Sequence, residues 1–496
     1  MMLSANFALY LALFLPLGAI VLIGALRDLP VARDVAHIGT AVVTFALVLR
    51  LLMAVLAGDV PHLFLLEVMP GLPINFVIEP LGMVFALLAS GLWIVISIYA
   101  VGYMRTNGEE HHTRFAMFFT LAVAAALGIA FSGNLFTLFI YYELLTLSTY
   151  PLVAHKGTPE ARAGARLYLT ILLSTSIGFF LVAILWTWTV AGTLSFQPGG
   201  ILEGQLDPAY TPILLAFFAF GIGKAALMPF HRWLPSAMVA PAPVSALLHA
   251  VAVVKGGVFT MLKVSVYIFG TGYLSSTSAS DWLCWIAAIS IIVPAIIAMT
   301  KDDLKARLAY STISQLAYVT LGIALANQMG VIGSTMQIVM HAMAKITLFM
   351  CAGAIYIAAH KTKVSEMTGL GRQMPITFAA FTIASFSIIG LPPLGGGWSK
   401  WFLLHSAADA QQWTMIAVLG LGSLLSIGYL MPVAARALFV PTPNKNVLPG
   451  IKEAPLLCLV PICVTTFGCF ALFFFANDIY SFLLHVPLLA PEVVAP

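Results

Sequence analysis

The segment GIGKAALMPFHRWLP, residues 221–235, places a lysine and two prolines inside a hydrophobic stretch. Lys224 lies midway along the apolar span 211–236 that contains this segment, five residues before Pro229. A lysine ammonium at the centre of a bilayer costs about 3 kcal/mol or more unless it is paired or hydrated. A proline frees backbone groups that only protein or a hydrated cavity can satisfy. The segment therefore predicts a broken membrane helix built around a functional cation.

The composition of the whole chain agrees with a membrane protein. Of its 496 residues, 61% are hydrophobic and 8% are charged, whereas soluble proteins carry about 25% charged residues. The first apolar segment has no basic region before it, so we expect a retained span rather than a cleaved signal peptide. The net charge of +4 gives no reason to expect a nucleic-acid partner.

Fourteen apolar segments approach or exceed the length of about 20 residues that a membrane helix needs. They lie at approximately 4–26, 35–57, 76–104, 114–131, 134–154, 165–191, 211–236, 242–268, 282–300, 306–326, 331–359, 375–405, 412–440 and 453–483. The predicted fold class is therefore an all-α polytopic membrane protein. No loop between these segments is long enough for a sizeable soluble domain.

The distribution of charge tests this count of spans. The loops after odd-numbered spans contain Arg27, Arg33, Arg105, Arg114, Lys156, Arg162, Arg166, Arg232, Lys301, Lys305, Arg307, Lys361, Lys363, Arg372, Arg436, Lys445 and Lys452. The loops after even-numbered spans contain no lysine or arginine and carry the acids Asp59, Glu67, Glu203, Asp207 and Asp281. Because basic residues accumulate in cytoplasmic loops, we predict that the odd-numbered loops are cytoplasmic and that both termini face outward.

The six basic residues that remain lie inside the spans, as does Glu143. Glu143, Lys224, Lys255 and Lys345 fall close to the midpoints of four different spans. Charged residues at that depth usually face a hydrated interior and mark an ion path, although buried ion pairs that only lock helices together are an alternative. Lysines outnumber the acid, so some are unpaired and must be neutral part of the time, as a proton carrier is.

Two histidines accompany the central lysines. His249 precedes Lys255 in SALLHAVAVVKGGVFTMLK, and His341 lies four residues before Lys345, on the same helix face. A titratable imidazole beside a lysine suits a proton relay. By contrast, Arg50 and Lys263 lie nearer span ends, and we expect their side chains to reach the headgroups.

The twelfth span is interrupted like the seventh. It reads SFSIIGLPPLGGGWSKWFLL, with Gly390, Pro392 and Pro393 in its middle and Lys400 beyond them. Paired interrupted spans indicate a transporter built from inverted repeats. Because the two spans are five apart, we predict a five-helix repeat that makes Lys224 and Lys400 symmetry mates. The predicted segments are 1–113 with three spans, 114–268 and 282–440 with one repeat each, and 453–496 with the last span and tail.

Four motifs together carry a family resemblance. They are SGNLFTLFIYYELLTLSTYPLV at 132–153, GIGKAALMPFHRWLPSAMVAPAPVSALLHA at 221–250, HAMAK at 341–345 and GLPPLGGGWSK at 390–400. The chain resembles the antiporter-like subunits shared by Mrp-type cation/proton antiporters, respiratory complex I and membrane-bound hydrogenases. It most resembles the D-type subunit of Mrp Na⁺/H⁺ antiporters, because it has a lysine at position 400 and ends at Pro496 without the long lateral helix of the largest members. Tyr142 stands where tryptophan is common in the family.

The resemblance implies a fold and a set of roles. The fold has fourteen helices in two inverted five-helix repeats, with helices seven and twelve broken. Glu143 and Lys224 are implied to form the helix-5/helix-7 pair. The connecting and terminal relay positions are implied to be His249, Lys255, His341, Lys345 and Lys400. Protons would enter near Lys224, cross laterally with bound water and leave near Lys400.

The predicted function is proton translocation within a multi-subunit Na⁺/H⁺ antiporter in a bacterial or archaeal cell membrane. The expected partners are other membrane subunits, the lipid bilayer, H⁺ and Na⁺. Three alternatives stay open: a proton-pumping subunit of a complex I-like or hydrogenase complex, an energy-coupling subunit for inorganic-carbon uptake, and a structural anchor. We expect a transporter and not an enzyme. The sequence has no phosphate loop, dinucleotide fingerprint or catalytic nucleophile arrangement, and its five cysteines lack metal-ligand spacing, so we predict no cofactor and no metal.

Overall fold

The structure is a computed structural model that describes residues 4–441 and 450–486. Lys445, predicted in a cytoplasmic loop, lies outside the described residues. So do the first three residues and the end of the predicted C-terminal segment, from residue 487 onward.

Helices dominate the described chain, and most follow the predicted spans closely. The first six are α1 (Ala5–Ala25), α2 (Pro30–Leu56), α3 (Pro80–Thr106), α4 (His112–Phe131), α5 (Leu135–Val153) and α6 (Pro159–Ala191). The next five are α7 (Thr211–Gly221), α8 (Ala242–Phe269), α9 (Asp281–Thr300), α10 (Leu304–Ala324) and α11 (Gln328–Ala359). The last five are α12 (Pro375–Ile389), α13 (Gly396–Asp409), α14 (Trp413–Phe439), α15 (Leu456–Phe474) and α16 (Ala476–Leu483). Short helical segments lie at Trp233–Ser236 and Thr271–Ser276.

Ten helices in the described part of the chain are long and apolar enough to cross a membrane. This confirms the predicted class of all-α polytopic membrane protein. The other four predicted spans contain α5, α7, α10 and the pair α12–α13, which are shorter or more polar because they are interrupted or carry the polar residues described below. The count of fourteen spans and the inverted repeats stay predictions.

One element was not predicted. Strands β1 (His62–Met69) and β2 (Leu72–Val77) form an antiparallel hairpin between α2 and α3. Its Pro70–Gly71 turn places Gly71 at φ +80°, and the backbone N–H of Gly71 donates to Glu67. A Pro-Gly dipeptide is a turn signal, so the sequence did contain a sign of this hairpin.

The loops gather on two faces of the molecule. On one, here called the basic face, Lys156, Lys305 and Lys361 line a cavity of about 270 Å³. On the other, here called the hairpin face, residues around the β-hairpin line a cavity of about 610 Å³. Helix α8 runs between them, since Ala242 lines the first cavity and Lys263 the second. The first cavity is thus lined by residues from the connections after α5, α9 and α11, and the second by residues from those after α2, α4 and α6.

Helices α8 and α11 form the centre of the fold, and almost all of their residues are buried. Gly257 lets α8 approach the interrupted segment after α7. A Cβ atom at this position would lie only 2.3 Å from the carbonyl carbon of Lys224. Glycine is therefore required for the contact that brings the lysine segment against the central helix.

Candidate functional site

The segment after α7 leaves helical geometry at the predicted place. Helix α7 ends at Gly221, a short turn covers Gly223–Ala225, and Ala226 adopts φ +54°. Side chains form hydrogen bonds with backbone groups that this break frees. The Trp233 indole N–H donates to the carbonyl of Gly223 at 3.0 Å, and the N–H of Lys224 donates to the hydroxyl of Tyr142 at 3.1 Å.

The second interruption separates α12 from α13. Helix α12 ends at Ile389, Gly390 adopts φ +98°, and the turn contains Pro392 and Pro393. This break frees the carbonyl oxygen of Ile389, which accepts a hydrogen bond from the Lys400 ammonium at 2.9 Å. Both interruptions therefore lie next to a buried lysine, as the sequence predicted.

Lys224 is buried but does not form the pair with Glu143 that the family resemblance implies. Its ammonium donates to the carbonyl of Tyr142 at 2.8 Å and to the hydroxyl of Thr146 at 2.5 Å. Both carboxylate oxygens of Glu143 are buried and have no hydrogen-bond partner among the described residues. The pair is open in this conformation, with the lysine turned toward neutral oxygens.

The same coordination recurs at two more buried lysines, Lys345 and Lys400. Lys345 donates to the carbonyl of Leu308 at 3.1 Å and to the hydroxyl of Ser311 at 2.7 Å. Lys400 adds the hydroxyl of Ser423, at 2.8 Å, to its bond with α12. A hydroxyl can accept a hydrogen bond from an ammonium or donate one to a neutral amine. Each lysine thus has a partner suited to either protonation state.

Lys255 and His341 meet at the centre of the molecule. The lysine Nζ lies 2.6 Å from Nδ1 of the histidine, and both side chains are buried. His249 packs its ring on Phe349, with ring centroids 4.5 Å apart, and neither of its ring nitrogens has a partner in the described part of the chain. The same holds for the Nε2 atom of His341. Buried polar atoms of this kind are normally satisfied by internal water.

A chain of buried hydrogen bonds leads from Lys345 toward Lys400, and sequence reasoning missed it. In order it runs through Lys345, Ser311, Tyr429, Ser426, Gln315, Gln337 and Ser399. Its successive links measure 2.7, 3.0, 3.0, 3.4, 3.0 and 2.6 Å. The only sequence signal was the presence of two glutamines in apolar helices. Hydroxyl groups can pass a proton along by accepting and donating, but an amide donates from nitrogen and accepts at oxygen.

The structure also contradicts the expectation that the side chain of Lys263 reaches the headgroups. Its side chain does not reach toward headgroups but is fully buried, and its ammonium lies 3.3 Å from a carboxylate oxygen of Glu79. Glu79 precedes Pro80 at the start of α3, and no pattern in the sequence links this position to α8. Arg50, for which the same expectation was made, is partly exposed on α2.

Comparisons with known proteins cover most of the chain. Residues 132–426 match a family model described as NADH:quinone oxidoreductase/Mrp antiporter, and residues 70–119 match one for the N-terminus of complex I chain 5. NADH-quinone oxidoreductase subunit N of Desulforudis audaxviator is 32% identical over 422 residues, covering 82% of this chain and 83% of that protein. The A/B subunit of a probable K⁺/H⁺ antiporter of Rhizobium meliloti is 32% identical over 377 residues, covering 74% of this chain but only 36% of that protein.

A solved structure shows the same fold at lower identity. One chain of the Mrp complex from Dietzia sp. DQ12-45-1b superposes with a TM-score of 0.84 and 21% identity, covering 98% of this chain and 97% of the other. At that level of identity the agreement concerns the fold alone.

Proposed function

The chain belongs to the NADH:quinone oxidoreductase/Mrp antiporter family, and we propose that it is a proton-conducting subunit that exchanges H⁺ for Na⁺. Family membership makes it a membrane subunit of the ion-translocating type found in Mrp and complex I-like complexes. We further propose that it corresponds to the D-type subunit of Mrp antiporters. Its basic face would lie in the cytoplasm, as the distribution of lysine and arginine favours.

One observation carries the proposal. Three buried lysines, Lys224, Lys345 and Lys400, each donate hydrogen bonds to a carbonyl and a hydroxyl and not to a carboxylate. A purely structural lysine in an apolar interior is normally paired with a carboxylate, because an isolated charge there is costly. Lysines with neutral partners can release and regain a proton without leaving an unpaired carboxylate behind.

The proposed route follows these groups across the molecule. A proton enters at Lys224, passes by way of water to Lys255 and the two histidines, and continues to Lys345 and Lys400. Approach of Glu143 to Lys224 would hold the proton there, and separation would favour its release. A nearby opposite charge changes proton affinity by about 1.4–4 kcal/mol, comparable with about 2.3 kcal/mol per charge per 100 mV of membrane potential.

A second candidate function rests on a specific observation. The relative from Desulforudis audaxviator, which is matched over 83% of its length, is described as NADH-quinone oxidoreductase subunit N. The same buried lysines would serve a subunit that pumps protons when a redox reaction drives conformational change. The two candidates differ in what energises the path, and not in its residues.

Everted membrane vesicles distinguish the two candidates. Vesicles from cells that lack their own antiporters would carry the complete gene cluster of this protein, and a fluorescent pH dye would report proton movement. Addition of NaCl is expected to dequench the dye in wild type but not in Glu143→Ala, Lys224→Ala or Lys400→Ala, with the complex still assembled. No sodium response, together with a proton gradient formed on adding an electron donor, would support the redox pump instead.

The hydrogen-bond chain makes a separate prediction in the same vesicles. Gln337→Leu removes the link between Gln315 and Ser399, and it should slow sodium-driven dequenching about tenfold, equivalent to about 1.4 kcal/mol. Gln337→Glu keeps the length and the bond accepted from Ser399, and in its protonated form it also donates to Oε1 of Gln315 as the amide does. Because it adds a group that can carry a proton, transport should stay near the wild-type rate. Gln205→Leu, in an exposed loop, is the control. A wild-type rate for Gln337→Leu would exclude this hydrogen-bond chain from the proton path between Lys345 and Lys400.

A further inference from the structure

The cavity on the hairpin face contains a buried ion pair that the proposed proton route does not use. Glu79, Ser132, Lys263 and Tyr267 all line this cavity of about 610 Å³. The ammonium of Lys263 is fully buried, although the cavity beside it is large enough to hold several water molecules.

The ammonium occupies a site built from oxygen atoms. It lies 3.3 Å from Oε1 of Glu79 and donates to the carbonyl oxygen of Ser132 at 2.7 Å. The ring of Phe196 lies beneath it, with the ring centroid at 4.6 Å. A carboxylate and a carbonyl are the ligands that hard cations prefer, so the lysine fills a place that an inorganic cation would fit chemically.

The carboxylate is held in place independently of the lysine. Its two oxygens accept hydrogen bonds from the backbone N–H groups of Leu81 and Gly82, at 2.8 and 2.9 Å, at the start of α3. The hydroxyl of Tyr267 donates to Oε2 at 2.7 Å. Because these three donors fix the carboxylate, it would keep its position if the ammonium left. The site is therefore preformed for whichever cation occupies it.

We propose that Glu79 and the carbonyl of Ser132 form a monovalent-cation site on the hairpin face, for which Na⁺ and the ammonium of Lys263 compete. This deepens the proposed function and rests on it. Binding of Na⁺ requires the ammonium to give up its proton, so that R–NH₃⁺ and free Na⁺ become R–NH₂, H⁺ and bound Na⁺. The site holds one positive charge beside Glu79 before and after the exchange, which avoids leaving a buried carboxylate unpaired.

The released proton has two available destinations. One is water in the cavity, which Asp59 and His485 also line. The other is the central relay, because Lys255 lies eight residues earlier on α8, about 12 Å along the helix. In either case one proton leaves the site for each Na⁺ that enters, which is the stoichiometric coupling an exchanger needs.

Equilibrium binding of radioactive ²²Na⁺ to the purified complex at several pH values tests the competition. In wild type the apparent Kd for Na⁺ should rise about tenfold for each pH unit of acidification in the range where the ammonium competes. Lys263→Met removes the competitor, so binding should become tighter at acidic pH and lose its pH dependence. Glu79→Gln removes the charged ligand but keeps an oxygen for one of the two backbone donors, so binding should be lost.

The opposite signs of these two changes separate a cation site from a structural ion pair. Glu67→Gln, an exposed acid on β1 outside the cavity, is the matched control and should bind Na⁺ like wild type. If both variants lose binding, or neither changes it, the proposal is overturned. If sodium-driven exchange persists while no ²²Na⁺ binds, the site fails but the proposed function stands. If binding follows the predicted signs but vesicles show no exchange, the function fails and the site stands.

Discussion

Replacing Lys255 with methionine and His341 with leucine in one protein should abolish sodium-driven proton exchange while leaving the folded protein as stable as wild type. The two side chains lie 2.6 Å apart at the centre of the molecule, where the proposed route crosses from one half to the other. Removing both carriers should lower the transport rate roughly a hundredfold or more, equivalent to about 2.7 kcal/mol. Vesicle dequenching measures this loss.

The expected stability follows from the surroundings of these groups. Replacing both partners of a buried hydrogen bond by apolar groups of similar shape is close to neutral or stabilising, whereas removing one partner leaves the other unsatisfied and costs about 1–3 kcal/mol. The single variant Lys255→Met, which leaves His341 without its partner, should therefore have a lower Tm than the double variant.

Lys363→Met supplies a matched control for this experiment. It removes a lysine from an exposed loop on the basic face, so neither transport nor Tm should change. A double variant that unfolds at a much lower temperature than wild type would show that the contact stabilises the structure. A stable double variant with wild-type transport would exclude both residues from the route.

Some of these residues were predictable because they are charged residues inside apolar spans. Others were not predictable, because they lie far in the sequence from the groups they contact. Lys224, Lys255 and Lys345 stand out because a charge in an apolar span needs a reason, and each lies within a few residues of a proline or histidine that marks the site. Their partners could not be predicted in the same way. Neutral oxygens such as the carbonyl of Leu308 and the hydroxyl of Ser311 occur throughout the chain and carry no distinguishing pattern.

The ion pair on the hairpin face was even harder to predict from the sequence. Tyr267 and Glu79 are 188 residues apart, and only the folded chain brings them to one cavity. Lys263 lies near the end of an apolar span, where a lysine usually reaches the headgroups, so its position predicted the wrong environment. The β-hairpin that lies beside this cavity was also unpredicted, and without it no closed site was visible in the sequence.

Changing either member of the open Glu143–Lys224 pair should also slow exchange strongly. We expect Glu143→Gln to slow exchange roughly a hundredfold, because the route loses the charge that controls Lys224. Lys224→Met should have a similar effect. The double variant should be no slower than either single variant, since both changes disable the same step. Glu110→Gln, which alters an exposed acid on the basic face, should transport like wild type.

Measurements of protein stability distinguish a pair that takes part in proton transport from one that only locks helices together. Removing one partner of a buried salt bridge costs about 3–5 kcal/mol, because the other charge stays buried and uncompensated. The carboxylate of Glu143 already has no partner among the described residues, and Lys224 bonds to Tyr142 and Thr146. Glu143→Gln should therefore leave Tm unchanged or raise it, while exchange is lost. A large fall in Tm for both single variants, with recovery in the double variant, would identify a structural ion pair and contradict the proposed gate.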